Sequence, residues 1–115
     1  MSVLLSQKLR LVGATRYRHW CPGCKEHHEF YVGEPAPRTG AIWYFNGNIL
    51  LPTFTPSMHI TAGPSEEPPG HPDHIPKISL CHYFLTAGVL VFQNDCEHDL
   101  KGQSVILPDL PKWNF

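Results

Sequence analysis

Charge is scarce in this chain. Only 17% of its 115 residues are Asp, Glu, Lys or Arg, the formal charge is -1, and the longest basic run is Arg16-Tyr17-Arg18-His19. Following a phosphate backbone requires a basic face, so nucleic acid is not an expected partner. Long apolar runs are missing as well. Met1 to Val12 is broken by Lys8 and Arg10, which leaves neither a signal peptide nor a membrane span to read. The expected location is therefore the cytoplasm. Cysteine is limited to Cys21, Cys24, Cys81 and Cys96, and in a reducing compartment these are thiolate ligands rather than disulfide partners. Long helical periodicity is also absent.

What replaces it is alternation and proline. Short apolar runs alternating with polar residues, together with 12 prolines, predict an all-β or β-rich α+β fold, a small zinc-ribbon-like domain built from short β-hairpins and spanning residues 1–115. Leu9 and Leu11 mark a first strand, Arg16 to Trp20 a second, and His28 to Val32 its return. Ile42 to Phe45, Asn46-Gly47 and Asn48 to Leu51 read as a tight hairpin. Pro52 and Pro56 confine the next segment to an edge strand or loop. Residues 61–77, with five prolines, are expected to form an exposed loop. Tyr83 to Gln93 reads as a hairpin turning at Ala87-Gly88, with a helical turn at Glu97 to Leu100 and a closing strand at Ser104 to Leu107. Trp20, Trp43, Tyr44 and Phe45 are assigned to the core, and Trp113 and Phe115 to a tail docked on the body.

Cys21-Pro22-Gly23-Cys24 carries the most chemistry. Two cysteines separated by a Pro-Gly turn converge on one cation. In the second half, pairing Thr86 with Val89 puts Cys81, Tyr83, Leu85, Leu90, Phe92 and Cys96 on one face of the hairpin. The expected site is thus Zn2+ held by Cys21, Cys24, Cys81 and Cys96, with His28 and His98 as alternate ligands. Four thiolates close a zinc shell and make it structural, whereas a Cys/His mixture with an open position would allow catalysis. His71 and His74 offer a further clip on the 61–77 loop, where the backbone is hard to aim.

The opposite hairpin face carries His82, Phe84, Val89, Val91, Gln93 and Asp95. A histidine oriented by a carboxylate is half of a proton-transfer device, and Ser57 could supply the nucleophile. Ser57, His82 and Asp95 are therefore the catalytic candidates. The competing explanation is a turn serine and a structural hydrogen bond. Near the knuckle, His27 and Glu29 do not complete a His-Glu-x-x-His zinc-peptidase pattern.

Ordered pieces along the chain resemble a family of small phage and prophage proteins of unknown function. They are Trp20-Cys21-Pro22-Gly23-Cys24 with His28, Trp43 with Asn46-Gly47, Pro52-Thr53-Phe54-Thr55-Pro56-Ser57, Cys81-His82-Tyr83-Phe84, and Asp95-Cys96-Glu97-His98 followed by Leu100, Gly102 and Gln103. The resemblance implies metal binding and a phage origin, hence the cytoplasm of a bacterial host. A more remote similarity, through the Pro-Ser and His-Phe pieces, runs to an uncharacterised domain found beside bacterial ubiquitin-like conjugation genes. Two functions are carried forward. The first is a small zinc-binding protein acting on a host or phage protein partner. The second is a peptidase-like hydrolase, using either Ser57, His82 and Asp95 or an open zinc. Neither a membrane partner nor an oligomeric state is read from the sequence.

Overall fold

Alternation at a period of two builds nine strands in the computed structural model, which describes residues 2–112. They are β1 (Ser2–Leu4), β2 (Arg10–Val12), β3 (Arg16–Cys21), β4 (Glu26–Tyr31), β5 (Tyr44–Phe45), β6 (Phe54–Ala62), β7 (Ile78–Thr86), β8 (Val89–Phe92) and β9 (Ser104–Ile106). They form two antiparallel sheets in simple sequence order, β1-β2-β3-β4 and β5-β6-β7-β8-β9. The fold is all-β, as the sequence predicts, and among the described residues no helix is long and apolar enough to cross a membrane.

Aromatic rings join the two sheets. Phe30 of β4 stacks on Phe54 of β6 with centroids 4.3 Å apart, and Phe45 stacks on the same ring at 4.7 Å. Leu9, Cys21, Cys81, Tyr83, Leu85, Leu90 and Phe92 complete a buried cluster drawn from both sheets. Two histidines lie inside it, paired across β3 and β4. His19 Nδ1 donates to the Trp20 carbonyl at 3.2 Å, so its Nε2 accepts the Tyr83 hydroxyl at 2.6 Å. His28 Nδ1 donates in turn to the Tyr83 oxygen at 3.1 Å. Burial lowers His19 to about 4 and His28 to about 3, so both are neutral near pH 7.

The β7–β8 hairpin has the expected register, with Thr86 opposite Val89 and Tyr83 opposite Phe92. Ala87 and Gly88 take the positive φ values, 48° and 78°, that a two-residue turn demands. Elsewhere the expectation needs correction. Asn46-Gly47 does not close a tight hairpin: β5 pairs directly with Phe54 and Thr55, leaving a longer loop between. The reason is local, because the Asn48 side chain accepts the N–H groups of Leu50 and Leu51 and so bends that segment away from a strand. The segment after Pro52 is no loop but a strand, β6, paired with β7 on one side and with β5 only at Phe54 and Thr55 on the other, and Pro56 falls where the ladder is already shifted between Phe54 and Met58.

Turns replace the helical turn expected at Glu97 to Leu100. Tyr44 is 76% exposed rather than in the core, whereas Trp43 is buried. Residues 63–77 form a mostly exposed loop pinned across its base by Ser65 and Ile75. Trp113 and Phe115 lie outside the described residues.

Candidate functional site

Two adjacent residues of β7 open onto two different sites. Cys81 points inward and is fully buried, while His82 points to the outer face.

On the inner side, Cys21 at the end of β3, Cys24 in the knuckle, Cys81 and His98 place one donor atom each within 4.8 Å of all the others. This group differs from the all-cysteine expectation at one position, where His98, an alternate in the sequence reading, stands in place of Cys96. The physical reason is that the chain leaves β8 after Phe92, so strand alternation no longer governs where residue 96 points. Cys96 instead turns to the backbone of His82. Its sulfur accepts the His82 N–H at 3.2 Å and its S–H donates to the His82 carbonyl at 3.2 Å.

The inner group is suited to a metal ion on its own geometry. Knuckle residue 23 must be glycine, because a Cβ there would lie 2.3 to 2.5 Å from the His98 ring. The thiols are also mutually frustrated. Hydrogen bonding from Cys81 leads in lowering Cys21 to about 7, and backbone N–H groups of Cys24 and Gly23 assist. Burial, then the Cys21 charge, raises Cys24 to about 12, and the hydrogen bond to Cys21, then burial, pushes Cys81 up as well. One thiolate therefore opposes the next, and a central dication would remove that conflict. Burial lowers His98 against the pull of Asp99, favouring the neutral, ligating imidazole. His98 Nε2 lies 3.3 Å from Cys81 Sγ, while Leu100 N–H donates to its Nδ1 at 3.2 Å. Ligation through Nε2 would move the ring proton to Nδ1 and release that last bond.

His28, the other alternate, falls in a separate group with Cys24 and Glu26. With Nδ1 donating to Tyr83, its buried Nε2 is a lone pair without a hydrogen-bond partner, 3.6 Å from Glu26 Oε1. His71 and His74 join no donor group among the described residues. They serve their own loop, His71 Nδ1 accepting Asp73 N–H and His74 Nδ1 donating to the Glu67 carbonyl.

The outer face brings Ser57, His82 and Asp95 into one chain of hydrogen bonds. Ser57 Oγ is 3.1 Å from His82 Nε2, and His82 Nδ1 is 3.1 Å from both Asp95 oxygens. Loss of water around Asp95 acts to raise its carboxyl, but the hydrogen bond and charge of His82, helped by His59, outweigh it and hold the group below the usual range. Asp95 is thus an acceptor near neutrality, so Nδ1 must be the protonated nitrogen and Nε2 is left to accept the Ser57 O–H. Cys96 grips the His82 backbone from the same end, which fixes the imidazole's origin.

His59 is a site residue that the sequence reading missed. Its ring stacks on His82 with centroids 4.4 Å apart, its Nε2 meets Ser79 Oγ at 2.8 Å, and it lies 3.8 Å from Asp95. The available signal was its spacing of two from Ser57, which puts both on one face of a strand. That signal was lost when the prolines demoted the segment.

The chain matches the family described as "Bacterial ubiquitination-like system serine protease (BubE)" over residues 3–93. Ser57, His82, Cys21, Cys24 and Cys81 fall inside that span, with Asp95, Cys96 and His98 just past its end. No curated protein and no solved structure matches the chain. Since the matched span covers most of the sequence, the chain belongs to that family.

Proposed function

We propose that, as a member of that family, this chain is a serine hydrolase that cleaves an amide bond in a ubiquitin-like protein or its conjugate. The observation that carries the reading is the continuous path from Ser57 Oγ through the His82 ring to Asp95, with 3.1 Å at each step. Ser57 is the nucleophile. As its oxygen attacks the carbonyl carbon, His82 Nε2 takes the hydroxyl proton, and Asp95 stabilises the imidazolium without taking its proton. The imidazolium then protonates the departing amine as the C–N bond breaks. Water, deprotonated by the same nitrogen, releases the acyl group and restores the Ser57 hydroxyl.

Cys21, Cys24, Cys81 and His98 would hold zinc, since three sulfurs and one imidazole nitrogen suit that ion, and four protein ligands would make its role a structural brace. Zinc binding contributes about 10–16 kcal/mol in small zinc modules, comparable to the entire stability of a domain, so the ion would decide whether the two sheets stay together. The binding-protein function ranked first from sequence becomes secondary: its protein partner is the substrate.

The test uses a bacterial ubiquitin-like protein carrying a C-terminal aminocoumarin amide. The native chain releases the fluorophore, and Ser57→Ala lowers the rate about 10^4-fold or more while zinc content and melting temperature stay the same. Equal release by the variant would contradict the assignment.

A further inference from the structure

β6 is a central strand for only part of its length. β5 covers Phe54 and Thr55, and β6 then runs on to Ala62 with no strand beside it on that side among the described residues. The exposed edge therefore begins at the candidate nucleophile.

The orientation of that edge is set by β7. His82 donates its N–H to Cys96 Sγ, and its carbonyl accepts Gln93 N–H at 2.8 Å, so both backbone groups face the β8 side. In an antiparallel ladder such a residue belongs to a non-hydrogen-bonded pair with its neighbour on the other side. His59 is that neighbour, and its N–H and C=O must turn outward, away from β7. Ser57, two residues earlier, should turn its carbonyl the same way. It does: the Trp43 indole N–H, on the β5 side, donates to the Ser57 carbonyl at 3.3 Å.

Beyond this edge lies a groove of about 680 Å³ whose far wall includes Tyr31, Ala36, Arg38 and Ala41. Residues 57–62 contain neither proline nor a charged side chain, the usual devices that keep a free edge from pairing.

We propose that this groove is the substrate-binding cleft and that the substrate enters it as an extended polypeptide, adding to the sheet along β6 through the outward N–H and C=O of His59. The inference rests on the Ser57 reading and deepens it. Backbone groups at ladder spacing select a chain in strand conformation. A strand added there lies about 4.8 Å from β6, which brings its carbonyls alongside Ser57. Flexible tails and linkers satisfy that requirement, whereas helices and ordered folds do not.

The test separates binding from chemistry. Ser57→Ala protein is exposed to a random-sequence decapeptide library, and the retained peptides are resynthesised with a single N-methyl group walked along the backbone. N-methylation should weaken binding tenfold or more at alternate positions only, because an added strand turns every second N–H toward its neighbour. Ala36→Trp, which fills the far wall, should weaken binding of the same peptides at least tenfold while leaving the melting temperature unchanged. Affinity indifferent to N-methylation at every position, or no retained peptide at all, overturns the proposal even if Ser57 labels normally. Failure of Ser57 to label, with peptides still bound in the alternating pattern, would overturn the hydrolase reading and leave the cleft standing.

Discussion

Cys81 and His82 are neighbours in one strand and live in different chemical worlds. The inner face of β7 is dry, with Cys81 and Tyr83 fully buried, and Cys81 belongs to a donor group suited to a cation. The outer face is half-wet: the His82 side chain is 23% exposed and that of Asp95 48%. The dry side can hold structure because an unpaired group there is costly. On the wet side a substrate can arrive and protons can move. A strand's twofold alternation is enough to keep the two apart, so the proposed brace and the proposed catalytic groups should be alterable independently.

The largest effect should come from the inner face. Cys21→Ser leaves two thiols and one imidazole and is expected to abolish metal binding and cooperative thermal unfolding together, read by metal analysis and circular dichroism. If the variant melts normally without metal, the inner site is not a brace. Next is Asp95→Asn on the outer face. It should lower hydrolysis about 10^3 to 10^4-fold, because the amide no longer enforces the Nδ1–H tautomer, with metal content and melting unchanged. A parallel loss of stability would show that the two faces are not separable.

Smaller changes sharpen the boundary. Tyr83→Phe removes the hydroxyl shared by His19 and His28 and should destabilise the fold by roughly 1–3 kcal/mol, leaving turnover of folded protein intact. Cys96→Ala should keep the metal, since its sulfur is spent on the His82 backbone, but lower kcat severalfold as the base loses its anchor. Loss of metal in that variant, with retention in His98→Ala, would restore the ligand set first expected from sequence.

The contrast between the faces also explains what could be read in advance. The β7–β8 register was legible to the residue because Ala87-Gly88 allows one turn geometry and the flanking apolar pattern allows one pairing. Parity then placed Cys81 and His82 on opposite faces. Cys96 is buried in the same core cluster as Cys81, but the chain has left the strand there, and turns rather than parity aim its sulfur at the His82 backbone. Pro56 concealed β6: a proline argues against an interior strand unless the ladder is shifted around it, and no local pattern announces such a shift. With β6 hidden, His59 and the open edge beside Ser57 were hidden too. The His19–Tyr83–His28 network joins residues up to 64 positions apart, although His19 and His28 could have been paired by counting outward from the knuckle.

The most direct test of separate faces is fluorophosphonate labelling with subsequent peptide mapping, with metal content measured on the same samples. A single adduct on Ser57 is expected, absent in His82→Ala, in protein whose metal content is the same before and after labelling and in both forms. An adduct elsewhere, labelling that survives His82→Ala, or metal lost along with His82 would contradict it.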